Sequence, residues 1–136
     1  MPVRSADEIR AILEEAETIA VVGMSTTPHK DAHQIPKYLI EHGYDVIPVN
    51  PTTDEVLGRR AYDDLSEVEE AIDVVDVFRP SDEVMGIVEA AVARDDAPVI
   101  WTQLGIRDPE ATALAEDHGL RVVEDACIKV EHQSLL

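Results

Sequence analysis

Thr18-Ile-Ala-Val-Val-Gly23-Met-Ser25 decides the fold. Its apolar run is continuous rather than alternating, the pattern of a short strand buried on both faces of a parallel sheet. The glycine at its end permits a tight turn and a close backbone approach, and a polar loop follows up to Lys30. Upstream, Ser5-Ala-Asp-Glu8 has the pattern of a capping box and opens an amphipathic helix that runs to about Ala16. Downstream, a second helix is expected from about His33 to His42, with Gly43 as its C′ residue. Pro36 fits that helix only within its first turn, because proline has no N–H to give.

The same unit recurs along the chain. Tyr44-Asp-Val-Ile-Pro-Val49 is the second strand, broken by Asn50-Pro51, and the stretch from Val56 to Tyr62 reads as irregular. Ser66-Glu-Val-Glu69 has the form of a capping box for a short helix. Asp73-Val-Val-Asp-Val-Phe78 is the third strand, followed by a helix from near Ser81 to about Arg94. Pro98-Val-Ile-Trp-Thr-Gln103 is the fourth strand, Asp108 to His118 a helix, and Leu120 to Val123 the fifth strand. Strands alternating with helices imply an α/β, Rossmann-like, doubly wound and mainly parallel five-stranded sheet with helices on both faces. Right-handed crossovers lead to an expected strand order of 3-2-1-4-5.

Residues 1–136 suit one domain, and no repeat, low-complexity tract or linker divides them. The longest apolar runs are about six residues, a third of what crosses a bilayer, so no membrane association is expected. Cys127 is the sole cysteine and no signal-like segment opens the chain, so the expected compartment is a reducing cytoplasm. Twenty-nine acids stand against eleven bases, a net charge of −18. The acids are spread along helix faces, as in Glu14, Glu15 and Glu17, rather than gathered in a tail. Self-repulsion on this scale suits a halophilic setting, where salt screens it. With no basic stripe to replace phosphate counterions, nucleic acid is excluded as a partner.

Ligands of such sheets bind beyond the carboxyl ends of the strands at the point where strand order reverses, expected here between strands 1 and 4. The segments placed there are Gly23-Met24-Ser25-Thr-Thr-Pro-His-Lys30, Asn50-Pro51, Phe78-Arg79-Pro80 and Gln103-Leu-Gly105. Loop amides, the hydroxyls of Ser25, Thr26 and Thr27, and the cations Lys30 and Arg79 together suit a polyanion. Gln103 offers an amide for a ligand carbonyl or hydroxyl. Phe78 suits either stacking on a base or packing in the core, and Trp101 reads as core. A dinucleotide fingerprint would place a second glycine where Ser25 stands, and an acid where strand 2 ends in Asn50. Both departures argue against NAD, and the G-x-x-x-x-G-K-[ST] loop of nucleoside triphosphatases is missing. His29 and His33 have helical metal-pair spacing but no third ligand nearby, so no metal is expected.

Val21-Val-Gly-Met-Ser25, Tyr44-Asp-Val-Ile-Pro-Val-Asn-Pro51, Asp73-Val-Val-Asp-Val-Phe-Arg79, Trp101-Thr-Gln-Leu-Gly105 and Cys127-Ile-Lys-Val-Glu-His132 occur in that order. Over about residues 10 to 134 the chain resembles the small stand-alone CoA-binding proteins. These are similar in turn to the N-terminal domain of the succinyl-CoA synthetase α subunit. The resemblance implies that the first loop lies near the CoA phosphates and the ends of strands 2 and 3 near the nucleotide. It points to Gly23, Ser25, Lys30, Asn50, Pro51, Phe78 and Arg79 as cofactor-binding residues. Family members often carry a second basic residue after Phe-Arg, where this chain has Pro80.

The function expected is therefore a non-catalytic module that binds coenzyme A or an acyl-CoA, a small-molecule nucleotide ligand. Homo-oligomerisation, and partnership with an acyl-CoA ligase-type chain, are both left open. The alternatives are an NAD(P)-binding oxidoreductase and an acyl-CoA-transforming enzyme that uses Cys127 with His132 or Glu131 beside it. Against the latter, Ala126-Cys127-Ile128 reads as a small apolar segment in which the thiol packs as a minor hydrophobe.

Overall fold

The computed structural model describes residues 1–136. Five parallel strands form the main sheet: β1 (Thr18–Val22), β2 (Asp45–Val49), β5 (Val74–Val77), β6 (Val99–Thr102) and β7 (Val122–Val123). Two short strands, β3 (Glu55–Val56) and β4 (Arg59–Arg60), pair antiparallel as a separate hairpin. The helices are α1 (Ala6–Glu15), α2 (Asp31–Glu41), α3 (Val84–Val92), α4 (Pro109–Asp117) and α5 (Ile128–Leu135).

The continuous apolar strands do bury both faces. Successive side chains alternate between two cores, as the period of a strand requires. Ile19, Val21, Val74 and Trp101 face α1, α2 and α5, while Ala20, Val22, Val75, Val77 and Ile100 face α3 and α4. Ser5 caps α1 as its sequence implies, its hydroxyl accepting the N–H of Glu8 at 3.4 Å. Asp108 caps α4 in the same way, accepting from Glu110 and Ala111.

The α/β, Rossmann-like architecture holds, but the strand order is β2-β1-β5-β6-β7 and not the expected 3-2-1-4-5. The third long strand, β5, lies beside β1, which leaves β2 at the edge. Right-handed crossovers are compatible with both orders, so handedness alone does not choose between them. Pro48 in β2 does choose. Its carbonyl accepts the N–H of Tyr62 at 3.0 Å on the outer side of the strand, and Asn50 N–H donates to Tyr62 at 2.8 Å. The donor that proline lacks therefore faces a sheet edge, where no further strand needs it; the middle of a sheet would not tolerate that gap. The segment after the β3–β4 hairpin occupies that edge, and the chain then crosses to the far side of β1.

Three local expectations are also corrected. Pro36 lies in the second turn of α2, not the first. The Ala32 carbonyl that it leaves without a helical donor accepts the Ser25 N–H at 3.0 Å instead. Ser66 does not cap a helix; Asp64 caps a single 3₁₀ turn, Leu65–Glu67, accepting from the Ser66 N–H. Arg94 then holds the segment in place, donating to the carbonyls of Leu65, Val68 and Glu70 and pairing with Asp96. The stretch read as irregular contains the β3–β4 hairpin, turned by Leu57 and Gly58, both with positive φ. The segment beginning at Ile128, for which no element was expected, is a helix. Only Ile128 is fully buried along it, so it has no apolar period to announce it.

Candidate functional site

With β5 beside β1, the strand order reverses between these two, and the crevice at their carboxyl ends is where this topology places ligands. A cleft of about 930 Å³ opens there. Its walls come from the loop after β1, the end of β2, the end of β5, the Asp63-Asp64-Leu65 turn and one face of α3.

Gly23 opens the first loop with φ +91°, a conformation that side chains other than glycine disfavour. A Cβ at this position would sit 2.7 Å from Arg79 Cδ and 3.3 Å from the Phe78 carbonyl carbon. The stem of Arg79 thus lies directly over Gly23, so the glycine serves both the turn and the placement of the arginine. Beyond it the loop is held by its own polar groups. Ser25 accepts the Thr27 N–H at 3.0 Å, and its carbonyl bonds to His33 Nδ1 at 2.8 Å. His33 is therefore part of the loop's scaffold. Met24 borders the cleft, but it is fully buried in the core beneath. Lys30 is exposed at the N-cap of α2 and has no acidic partner.

Asn50 tethers the loop. Its side-chain amide donates to the Met24 carbonyl at 2.8 Å, and its Oδ1 accepts from both the backbone and the hydroxyl of Thr52. The oxygen is fully used by these bonds, so what Asn50 can offer a ligand is its remaining N–H. Pro51 and Thr52 continue the wall. Phe78 packs against the core, as one reading of its sequence expects, and also lines the cleft.

Arg79 reaches the cleft mouth and forms a forked pair with Glu83, Nε to Oε1 at 3.1 Å and Nη2 to Oε2 at 2.8 Å. The hydrogen bond and charge of each raise the Arg79 pKa and hold the Glu83 carboxyl below its ordinary value. Asp63, Asp64 and Asp82 also line the cleft, so four carboxylates face two cations. The Ser66 hydroxyl bonded to Asp64 keeps that carboxyl below its usual range.

Thr27 does not line the cleft, and neither does Gln103. Its amide donates to buried Asp76 at 2.5 Å, while its oxygen accepts the Ile128 N–H at 3.4 Å. It closes the core between β5, β6 and the start of α5, on the opposite side of the sheet from α3. Cys127 is half-buried at the N-cap of α5, packed against the core as the apolar reading of its segment expects. His132 makes no hydrogen bond to the thiol. Its Nδ1 bonds to the Tyr38 hydroxyl at 2.6 Å, in a group of rings with His42 and Tyr44.

The α3 wall and the Asp63–Leu65 turn were not recognised from the sequence. For α3 a signal exists: Glu83, Gly86, Ile87 and Ala90 recur at i, i+3, i+4 and i+7, so small residues interrupt one face of an otherwise apolar helix. For the turn none does, because its place depends on the Arg94 clamp some thirty residues later in the chain.

A family model described as a CoA binding domain matches residues 17–133. The Bacillus subtilis protein YneT is 43% identical over 128 residues, an alignment that takes in 94% of each chain. A solved structure of a Pyrococcus horikoshii protein superposes with a TM-score of 0.93 at 39% identity, covering 99% of this chain and 96% of that one. The dinucleotide-forming acetyl-coenzyme A synthetase 1 of Ca. Korarchaeum cryptofilum matches at 30% identity and a TM-score of 0.66, over 78% of this chain. The chain spans only 25% of that synthetase chain's length. On the match over nearly its whole length, this chain belongs to the CoA-binding domain family, whose fold also forms part of a larger acetyl-CoA synthetase.

Proposed function

We propose that the cleft binds coenzyme A or an acyl-CoA, and that the chain acts as a non-catalytic binding module. The observation that carries this reading is the convergence of Gly23, Lys30 and Arg79 on one cleft at the strand-order reversal of a CoA-binding-domain fold. The phosphates would meet the first loop, with its remaining amides, the Ser25 hydroxyl and the Lys30 ammonium; Arg79 supplies a second charge. Phe78, Ile87 and the end of β2 provide apolar and planar surface for the nucleotide. No carboxylate closes β2 to take a ribose hydroxyl pair in the manner of an NAD site; Asn50 stands there, occupied with the loop. A partner that completes a ligase reaction is a natural further element, because the related synthetase carries this fold within a much longer chain.

A thermal-shift series with CoA, acetyl-CoA, dephospho-CoA, NAD and NADP tests the reading. A ligand that binds only the folded chain at about one hundred times its Kd adds roughly 2.7 kcal/mol, a readily measured rise in Tm. A rise with CoA or acetyl-CoA that is absent with NAD is expected. A rise with NAD or NADP alone would replace the reading with a dehydrogenase-type one.

A further inference from the structure

Arg79 is one of only two cations in the cleft, and it is not free. Its guanidinium is gripped along one edge by both carboxylate oxygens of Glu83, at 3.1 and 2.8 Å, while its stem is fixed over Gly23. Both residues line the cleft and both are about half exposed, so the carboxylate sits on the side from which a ligand phosphate would come. Carboxylate and phosphate compete for the same paired N–H donors, because the guanidinium fork fits either group bidentately. Pro80 follows Arg79, so no second basic residue stands beside it to take the phosphate instead.

We infer that Glu83 is a built-in counter-anion: it occupies Arg79 in the empty cleft, and an anionic ligand must take the arginine from it. The inference rests on the cleft binding CoA, and it names the residue that sets how tightly. Glu83 then lowers affinity in two ways, by holding the guanidinium and by remaining as a negative charge beside the incoming phosphate. Exposed i,i+4 pairs are individually weak, so the exchange is easy and its effect on affinity modest. Lys30, without an acidic partner, is left to make the first contact.

The test is a double-mutant cycle on CoA binding, with Glu83→Gln, Arg79→Gln and the double variant titrated calorimetrically at one ionic strength where circular dichroism shows each folded. Glu83→Gln is expected to tighten CoA by about two- to fivefold when Arg79 is present. In the Arg79→Gln background the same change is expected to have less than half that effect. Equal tightening in both backgrounds would overturn the inference, since a general loss of negative charge then explains it. Weaker binding by Glu83→Gln would also overturn it, making Glu83 a residue that orients Arg79 for the ligand. Saturable binding by the wild type with no change in Glu83→Gln refutes this inference alone. No saturable binding by the wild type or by Glu83→Gln refutes the CoA reading and takes the inference with it.

Discussion

Asp76→Asn is expected to reverse sign in its effect on stability across the neutral pH range. Asp76 lies in the middle of the sheet, in register with Val21 on one side and Trp101 on the other, and has no solvent exposure. Gln103 satisfies one carboxyl oxygen, and the other has no hydrogen-bond partner. Burial pushes its pKa up from 3.8 to about 7, against the smaller opposing effect of the Gln103 hydrogen bond. The folded chain therefore holds this proton more tightly than the unfolded chain does. Its contribution to stability is complete below about pH 4, declines as pH rises, and is gone above about pH 7. Roughly three pH units at about 1.4 kcal/mol each make the total near 4 kcal/mol. Asparagine is isosteric and cannot ionise, and it leaves an unpaired amide worth a pH-independent cost of about 1–3 kcal/mol.

Urea unfolding of both proteins, followed by circular dichroism between about pH 4.5 and 8.5, isolates the effect, because the other twenty-eight carboxylates cancel in the difference. The variant is expected to be the less stable protein at the acid end. It should gain about 3–4 kcal/mol on the wild type across the range and end as the more stable one. A difference between the two that stays constant with pH would refute the reasoning, because it would mean that Asp76 ionises in the fold as easily as in the unfolded chain.

Gly86 lies inside α3, where a Cβ would meet nothing within 4 Å. Gly86→Ala should therefore raise stability by about 0.5–1 kcal/mol in a thermal melt, and a fall in Tm would show the position to be packed. Gly23→Ala should lose about 1–3 kcal/mol from its positive φ and its contact with Arg79, measured by urea unfolding; a neutral result would contradict the close approach there. Arg94→Ala leaves three carbonyls and Asp96 without their donor and should cost about 2–4 kcal/mol, with the Asp63–Leu65 wall loosened to hydrogen exchange. The halophilic expectation from a net charge of −18 is tested by melting at rising KCl: Tm should climb steeply from about 0.1 to 2 M, and a flat profile would refute it.

The strands and most helices were legible because continuous apolar runs, caps and post-helix glycines are local signals. Strand order is not local, and the one residue that bore on it, Pro48, acts through a donor it lacks; only the question of where that absence can be tolerated gives the order. The candidate site was legible at the strand ends, where Gly23, Asn50, Phe78 and Arg79 follow apolar runs directly and Lys30 closes the polar loop after the first. Gln103 follows such a run too, yet its side chain turns into the core toward Asp76, a choice made by a buried partner on the adjacent strand. The acidic half of the cleft was hidden for a related reason. Asp63 and Asp64 are carried there by a turn fixed from Arg94, and Glu83 is brought to Arg79 by the helical turn that separates them in sequence.

On the proposal that the cleft binds CoA, Lys30 and Arg79 carry its phosphates. Calorimetric titration of CoA into the wild type and into the Lys30→Ala/Arg79→Ala double variant tests it most directly. Saturable binding by the wild type, weakened at least about tenfold in the double variant while the fold is retained, is the predicted result. Equal binding by both proteins would place CoA elsewhere on the molecule, and a wild type that takes up NAD but not CoA would contradict the account outright.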